Sequence, residues 1–97
     1  MARKLKHDRY VEALCEIIKS EYDEIILNIP LYSKRKRKVA EIDILARKGK
    51  DYDAYEVKCS YRILKAKKQL RKIKKLLPNI NNLFFFCGES GKLEAII

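Results

Sequence analysis

A chain of 97 residues has room for one small domain and little else. With 23 Lys and Arg against 13 Asp and Glu, its formal charge of +10 suits a polyanionic partner, and nucleic acid is the usual one. No apolar run approaches the roughly 20 residues that span a bilayer, and the charged start leads straight into a helical pattern instead of a secretory leader. The expectation is a cytoplasmic protein with no membrane partner. Cys15, Cys59 and Cys87 lie far apart without CxxC spacing, which predicts reduced thiols and no disulfide framework.

In chain order, Val11, Leu14, Cys15, Ile18 and Tyr22 recur every three or four residues, predicting a helix over 7–22 with Asp8 as N-cap. His7, the single histidine, is expected to be solvent-exposed and receives no role. Residues 23–32 are rich in β-branched side chains and predict a strand, which Pro30 places near a sheet edge. The charge run of Ser33, Lys34, Arg35, Lys36, Arg37 and Lys38 predicts a solvated loop, with its five cations as candidates for gripping phosphates.

Residues 39–47 alternate, with Ala40, Ile42, Ile44 and Ala46 on one side and Glu41, Asp43 and Leu45 on the other. After a Lys-Gly-Lys-Asp turn, residues 53–60 alternate again, with Tyr55, Val57 and Cys59 opposed to Ala54, Glu56 and Lys58. Helical spacing returns over 62–77, where Ile63, Ala66, Leu70, Ile73 and Leu77 form a stripe and lysines such as Lys65, Lys68 and Lys72 occupy other faces. Pro78-Asn79 ends this helix. The apolar run 83–87 predicts a buried strand that places Phe84 to Phe86 in the core, and 93–97 predicts another strand. Tyr52, Tyr55 and Tyr61, which flank the strand before the second helix, are expected to pack. This order describes an α/β chain with a mixed central sheet flanked by helices.

The chemistry gathers on the hairpin. A two-residue turn at Gly49-Lys50 sets Asp43 across from Glu56 and Glu41 across from Lys58; a longer loop would shift this register. Like charges facing each other across a sheet are destabilising unless something compensates. A divalent cation does so, and Mg²⁺, with Mn²⁺ as a substitute, takes carboxylates, water and phosphate oxygens. Asp43 and Glu56 are therefore candidate metal ligands, with the carbonyl of Val57 as a further oxygen. Lys58 is placed to orient a water or stabilise charge at phosphorus, which points to metal-assisted phosphodiester hydrolysis. The alternative is a cross-strand ion-pair ladder on a solvated face, with Glu41 against Lys58.

Asp43 followed by Glu56-Val57-Lys58 resembles the D…ExK signature of the PD-(D/E)XK nuclease superfamily, which includes archaeal Holliday-junction resolvases and many restriction enzymes. The predicted element order is also similar to that family's αβββαβ core, so the resemblance implies a restriction-endonuclease-like fold over most of the chain. Ile42 stands where many members have proline, and Glu21 stands where many have glycine. The resemblance implies an acid on the first helix, for which Glu12 is the best match and Glu16 the rival. It also implies a polar residue on the second helix, matched by Gln69. The implied activity is a Mg²⁺-dependent DNA endonuclease, acting as a homodimer on branched DNA. The alternatives are a nickase or restriction-like nuclease, or a nucleic-acid-binding module without catalysis.

Overall fold

The computed structural model describes residues 5–96. Its elements are α1 (Lys6–Ile18), a 3₁₀ turn (Lys19–Glu21), β1 (Glu24–Tyr32), β2 (Lys38–Lys48), β3 (Asp51–Lys58), α2 (Ile63–Leu76), β4 (Asn82–Cys87) and β5 (Lys92–Ile96). The chain is thus an α/β protein with the element order expected from sequence. Ile97, at the end of the last expected strand, lies outside the described residues. Among the described residues no helix is long and apolar enough to cross a membrane.

The five strands form one sheet in the order β1-β2-β3-β4-β5. All neighbours are antiparallel except β3 and β4, which are parallel and therefore need the crossover that α2 provides. β1 is an edge strand, which is where Pro30 is tolerated.

Each helix covers one face. Val11, Leu14 and Ile18 of α1 pack with Ile44, Ala46, Tyr55, Val57 and Phe86. Ala66, Leu70 and Ile73 of α2 pack with Ile42, Ala54, Leu83, Phe85 and Cys87. Because Ala54 and Tyr55, like Phe85 and Phe86, are successive strand residues, the two clusters lie on opposite faces of the sheet. The expected helical stripes are the ones buried. Phe85 and Phe86 are in the core, and Phe84 is half-buried and stacks on Tyr55 at 4.8 Å.

Several particulars differ from expectation. α1 begins at Lys6, so Asp8 lies in its first turn and caps nothing; Leu5, in extended conformation, is the N-cap. The α-helix ends at Ile18, and the 3₁₀ turn carries the chain to Tyr22. There the Tyr22 hydroxyl donates to Asp53 Oδ2 at 2.6 Å and meets the Tyr55 hydroxyl at 2.6 Å. Asp53 Oδ1 in turn accepts from the Asn82 amide at 3.1 Å, so one network joins the end of the first helical segment to β3 and β4. Burial of these phenols, together with the neighbouring Asp53, pushes both hydroxyls above the usual tyrosine range.

The alternation of β2 also breaks. Ile42, with Ala40, packs on the α2 side, whereas Ile44 and Ala46 pack on the α1 side. Residues two apart share a face only in a regular strand, so β2 turns over at Asp43. β1 turns over with it: Asn28, which falls between the pairs Leu27↔Ile44 and Ile29↔Ile42, adopts the left-handed conformation with φ 53°. Asparagine is among the few residues with a side chain that tolerate this conformation.

Candidate metal and nucleic-acid site

The β2–β3 hairpin sets the geometry. Lys48 pairs with Asp51 around Gly49-Lys50, and Gly49 takes φ 61°, as a tight turn of this kind requires. The Gly49 amide donates to Asp23 Oδ2 at 2.7 Å, which fastens the turn to the segment before β1. The register is the one the two-residue turn dictates, but the ladder runs only as far as Ile44↔Tyr55. The next positions along it are Asp43 and Glu56, and there the strands part.

Asp43 lies in the resulting fork. Its Oδ2 accepts from the Val57 amide at 2.8 Å, so a side chain takes the acceptor role that a strand carbonyl would otherwise fill. Glu56 projects beside it, with Oε2 3.0 Å from Lys58 Nζ. Both carboxylates are almost inaccessible, Asp43 at 5% and Glu56 at 4% exposed, whereas the Lys58 side chain keeps 17%. The expected pairing of Glu41 with Lys58 does not form. β2 has left β3 by then, and Glu41 is held by Lys38 at 3.0 Å.

Burial sets the electrostatics of the fork. Desolvation raises the Asp43 carboxyl above its ordinary range, partly offset by the Val57 amide and by His7. Glu56 is pushed up to about 7, first by desolvation and then by the Asp43 charge, against the opposing pull of Lys58. Two desolvated acids thus sense each other with too little positive charge nearby to keep both comfortably ionised. The donor set consists of hard oxygens and fits a small divalent cation. Asp43 and Glu56 would hold it, with the Val57 carbonyl beside them. Among the described residues, no three His, Cys, Asp or Glu side chains are already drawn together as a metal cage.

His7 is the residue that sequence reasoning missed. It is half-buried, with Nε2 2.8 Å from the Val57 carbonyl and 3.4 Å from Asp43 Oδ2. The signal was present: His7, Val11, Leu14 and Ile18 lie on one helical stripe, and the last three are core. Glu12, the acid expected on this helix, is exposed and borders a shallow cleft with Asp8, Val11, Leu27 and Asn28. Glu16, its rival, is exposed and pairs with Lys19 at 2.7 Å.

The expected phosphate-gripping residues fall into two connected places. The run Ser33–Arg37 is the solvated loop expected from sequence and forms the tip of the β1–β2 hairpin, whereas Lys38 already belongs to β2. Ser33 orders the tip: its amide donates to the Arg37 carbonyl at 2.8 Å, and its Oγ accepts from the amides of Arg35 and Arg37. Lys34, Arg35, Lys36 and Arg37 are all exposed there. From Lys38 to Asp43 the strand advances about 17 Å, so the arm extends well beyond the fork. Lys65, Lys68, Gln69 and Lys72 line one groove together with Val39, Ala40 and Glu41 at the base of that arm. Gln69 Oε1 is buried in this region and has no hydrogen-bond partner among the described residues.

The cysteines are free thiols, and Cys87 is buried. Burial raises the Cys15 thiol, which leaves it less nucleophilic. Comparison with family models, with curated proteins and with solved structures finds no match to this chain.

Proposed function

We propose that the chain is a divalent-metal-dependent nuclease that hydrolyses phosphodiester bonds in DNA, with a restriction-endonuclease-like core. One observation carries this reading: two buried carboxylates, Asp43 and Glu56, meet where two strands part, beside the lysine amine of Lys58. Holding two carboxylates side by side out of water costs stability even though each has a polar partner. A site that takes up a cation accounts for it.

When bound between Asp43 and Glu56, Mg²⁺ or Mn²⁺ supplies charge neutralisation at phosphate and acidifies water. The chain's own residues do the rest. Asp43, fixed by the Val57 amide, presents a carboxylate of defined orientation. Lys58, 3.0 Å from Glu56 and still partly open to solvent, is placed to orient the attacking water or to meet charge developing on phosphate oxygens. The groove lined by Lys65, Lys68 and Lys72, and the Ser33–Lys38 arm, track the phosphate backbone on the way to the fork. Contacts of this type position DNA without reading its sequence, which suits a substrate distinguished by its shape. A homodimer acting on branched DNA follows from the family resemblance, and a nickase or restriction-like nuclease is the neighbouring activity.

A second reading has its own support. Asp43 and Glu56 each already have a partner, the Val57 amide and Lys58 respectively, as they would in a non-catalytic binding module. Incubation with four-way-junction, duplex and single-stranded DNA, in Mg²⁺, Mn²⁺ or EDTA, separates the two. The nuclease reading expects metal-dependent cleavage that Asp43→Ala or Glu56→Ala abolishes while binding persists. Binding without cleavage under any metal establishes the second reading instead.

A further inference from the structure

We propose that the outer edge of β5 is the surface on which two copies of this chain pair, antiparallel and with Leu93 on the two-fold axis, so that Lys92 of each copy faces the partner's Glu94. The inference rests on the homodimer of the reading above and gives it a surface; the contact itself requires neither metal nor DNA.

The sheet has two outer strands, β1 and β5. An unpaired strand edge invites another strand, and folded proteins usually blunt it. β1 is blunted: Pro30 has no amide hydrogen, Asn28 turns left-handed, and the register slips between Leu31 and Tyr32. β5 carries none of these. It pairs with β4 without a register shift from Leu83↔Ile96 to Cys87↔Lys92, which leaves its other side open. Leu93 keeps 42% of its surface exposed, and Ala95 is exposed beside it. From Gly88 to Ile97 the sequence has one lysine and two glutamates, so this end of a chain of charge +10 does not set cations against cations.

Charge selects the register. The two-fold axis of an antiparallel pair of identical strands runs perpendicular to the sheet and keeps each side chain on its own face, so it passes between two copies of one residue. At Lys92 or Glu94 the axis sets like charges opposite each other, which destabilises a sheet. At Ala95 it sets Glu94 against Ile96 and leaves Lys92 beyond the pairing. At Leu93 it sets leucine against leucine and Lys92 against the partner's Glu94, twice by symmetry. These side chains are already held in place: Lys92 Nζ lies 3.5 Å from Glu94 Oε1 and 5.3 Å from the centre of the Tyr61 ring, and the Tyr61 hydroxyl donates to Glu94 Oε2 at 2.6 Å. Pairing therefore has little side-chain freedom left to remove. Glu56 pairs with Phe85, which pairs with Glu94, so each fork lies two strands in from β5. Five strand spacings of about 4.8 Å then separate the two forks, about 24 Å measured along the sheet. The perpendicular axis keeps both on the same side, where one nucleic acid can span them.

The experiment is sedimentation equilibrium of the full chain without metal or DNA, in about 0.15 M salt, where screening over about 8 Å suppresses long-range repulsion but spares close pairs. The expected mass rises with concentration toward twice the 11.5 kDa of one chain. Lys92→Glu and Glu94→Lys each set two like-charged pairs across the axis and should weaken self-association at least about tenfold. Mixing these two variants matches every pair again, as does combining both substitutions in one chain, so both preparations should recover dimer. Recovery in the mixture also shows that each variant is folded. A wild type that stays at 11.5 kDa overturns the inference and leaves the metal reading standing, since neither metal nor DNA is present. Dimer that both single variants retain, or that the mixture fails to recover, overturns β5 as its surface. Dimer with this charge pattern from a chain that cleaves no DNA sustains the interface without the nuclease.

Discussion

Asp43 and Val57 are joined across the gap between β2 and β3 by a hydrogen bond from the Val57 amide to Asp43 Oδ2, at 2.8 Å. A carboxylate there does a strand's work. It holds β3 in place beyond the last ladder pair, and its second oxygen is left for other chemistry. The fork and the acidic site are therefore a single feature.

The cost of the site should be visible as a pH effect. Glu56 is raised from an ordinary 4.5 to about 7. Between those values the native state holds a proton that the unfolded chain has released, so stability contributed by neutral Glu56 is present below about 4.5 and is lost as pH climbs toward 7. At 1.36 kcal/mol for each pKa unit, the loss is on the order of a few kcal/mol. Glu56→Gln removes the penalty even though it also gives up the Lys58 contact, because the net shift already includes that contact. Thermal unfolding of metal-free wild type and Glu56→Gln should show equal stability near pH 4.5 and a growing advantage for the variant up to pH 7.5. Parallel curves would contradict this.

Asn28 supports the fork from the neighbouring strand, through its left-handed backbone opposite Asp43. Glycine adopts that conformation freely, whereas a β-branched residue does not. Asn28→Gly should unfold within about 0.5 kcal/mol of wild type, and Asn28→Val should lose roughly 1–2 kcal/mol or more, measured by urea denaturation. Equal losses for both would mean that the backbone conformation is not what the asparagine is there to supply.

Much of this was legible in the sequence, for reasons tied to particular residues. The two-residue turn at Gly49-Lys50 was one of the registers the sequence left open and is the one that forms, and period-3.6 stripes dictated which faces of α1 and α2 are buried. The turnover at Asp43 was not legible. It depends on β1 and β2 twisting together at Asn28, and a pattern of Ala40, Ile42, Ile44 and Ala46 reads as one uninterrupted face when only one strand is considered. His7 was missed for a related reason. Its place on the buried stripe could be counted, but only the parted strands create a polar pocket for that stripe to reach.

The groove should dominate the salt dependence of DNA binding. Each phosphate neutralised by a lysine contributes about 0.9 to the slope of log affinity against log salt. Replacing Lys65, Lys68 and Lys72 together by alanine should weaken binding to every DNA shape and reduce the slope by roughly 2–3, read by fluorescence anisotropy between 50 and 200 mM salt. An unchanged slope would move the DNA path away from α2.

The claim beneath all of these is that Asp43 and Glu56 share a cation, and calorimetric titration of the metal-free chain with Mn²⁺ at pH 7.5 tests it most directly. The account predicts saturable binding by the wild type that Asp43→Asn and Glu56→Gln each weaken at least about tenfold. No binding by the wild type, or the same isotherm from all three proteins, would contradict it.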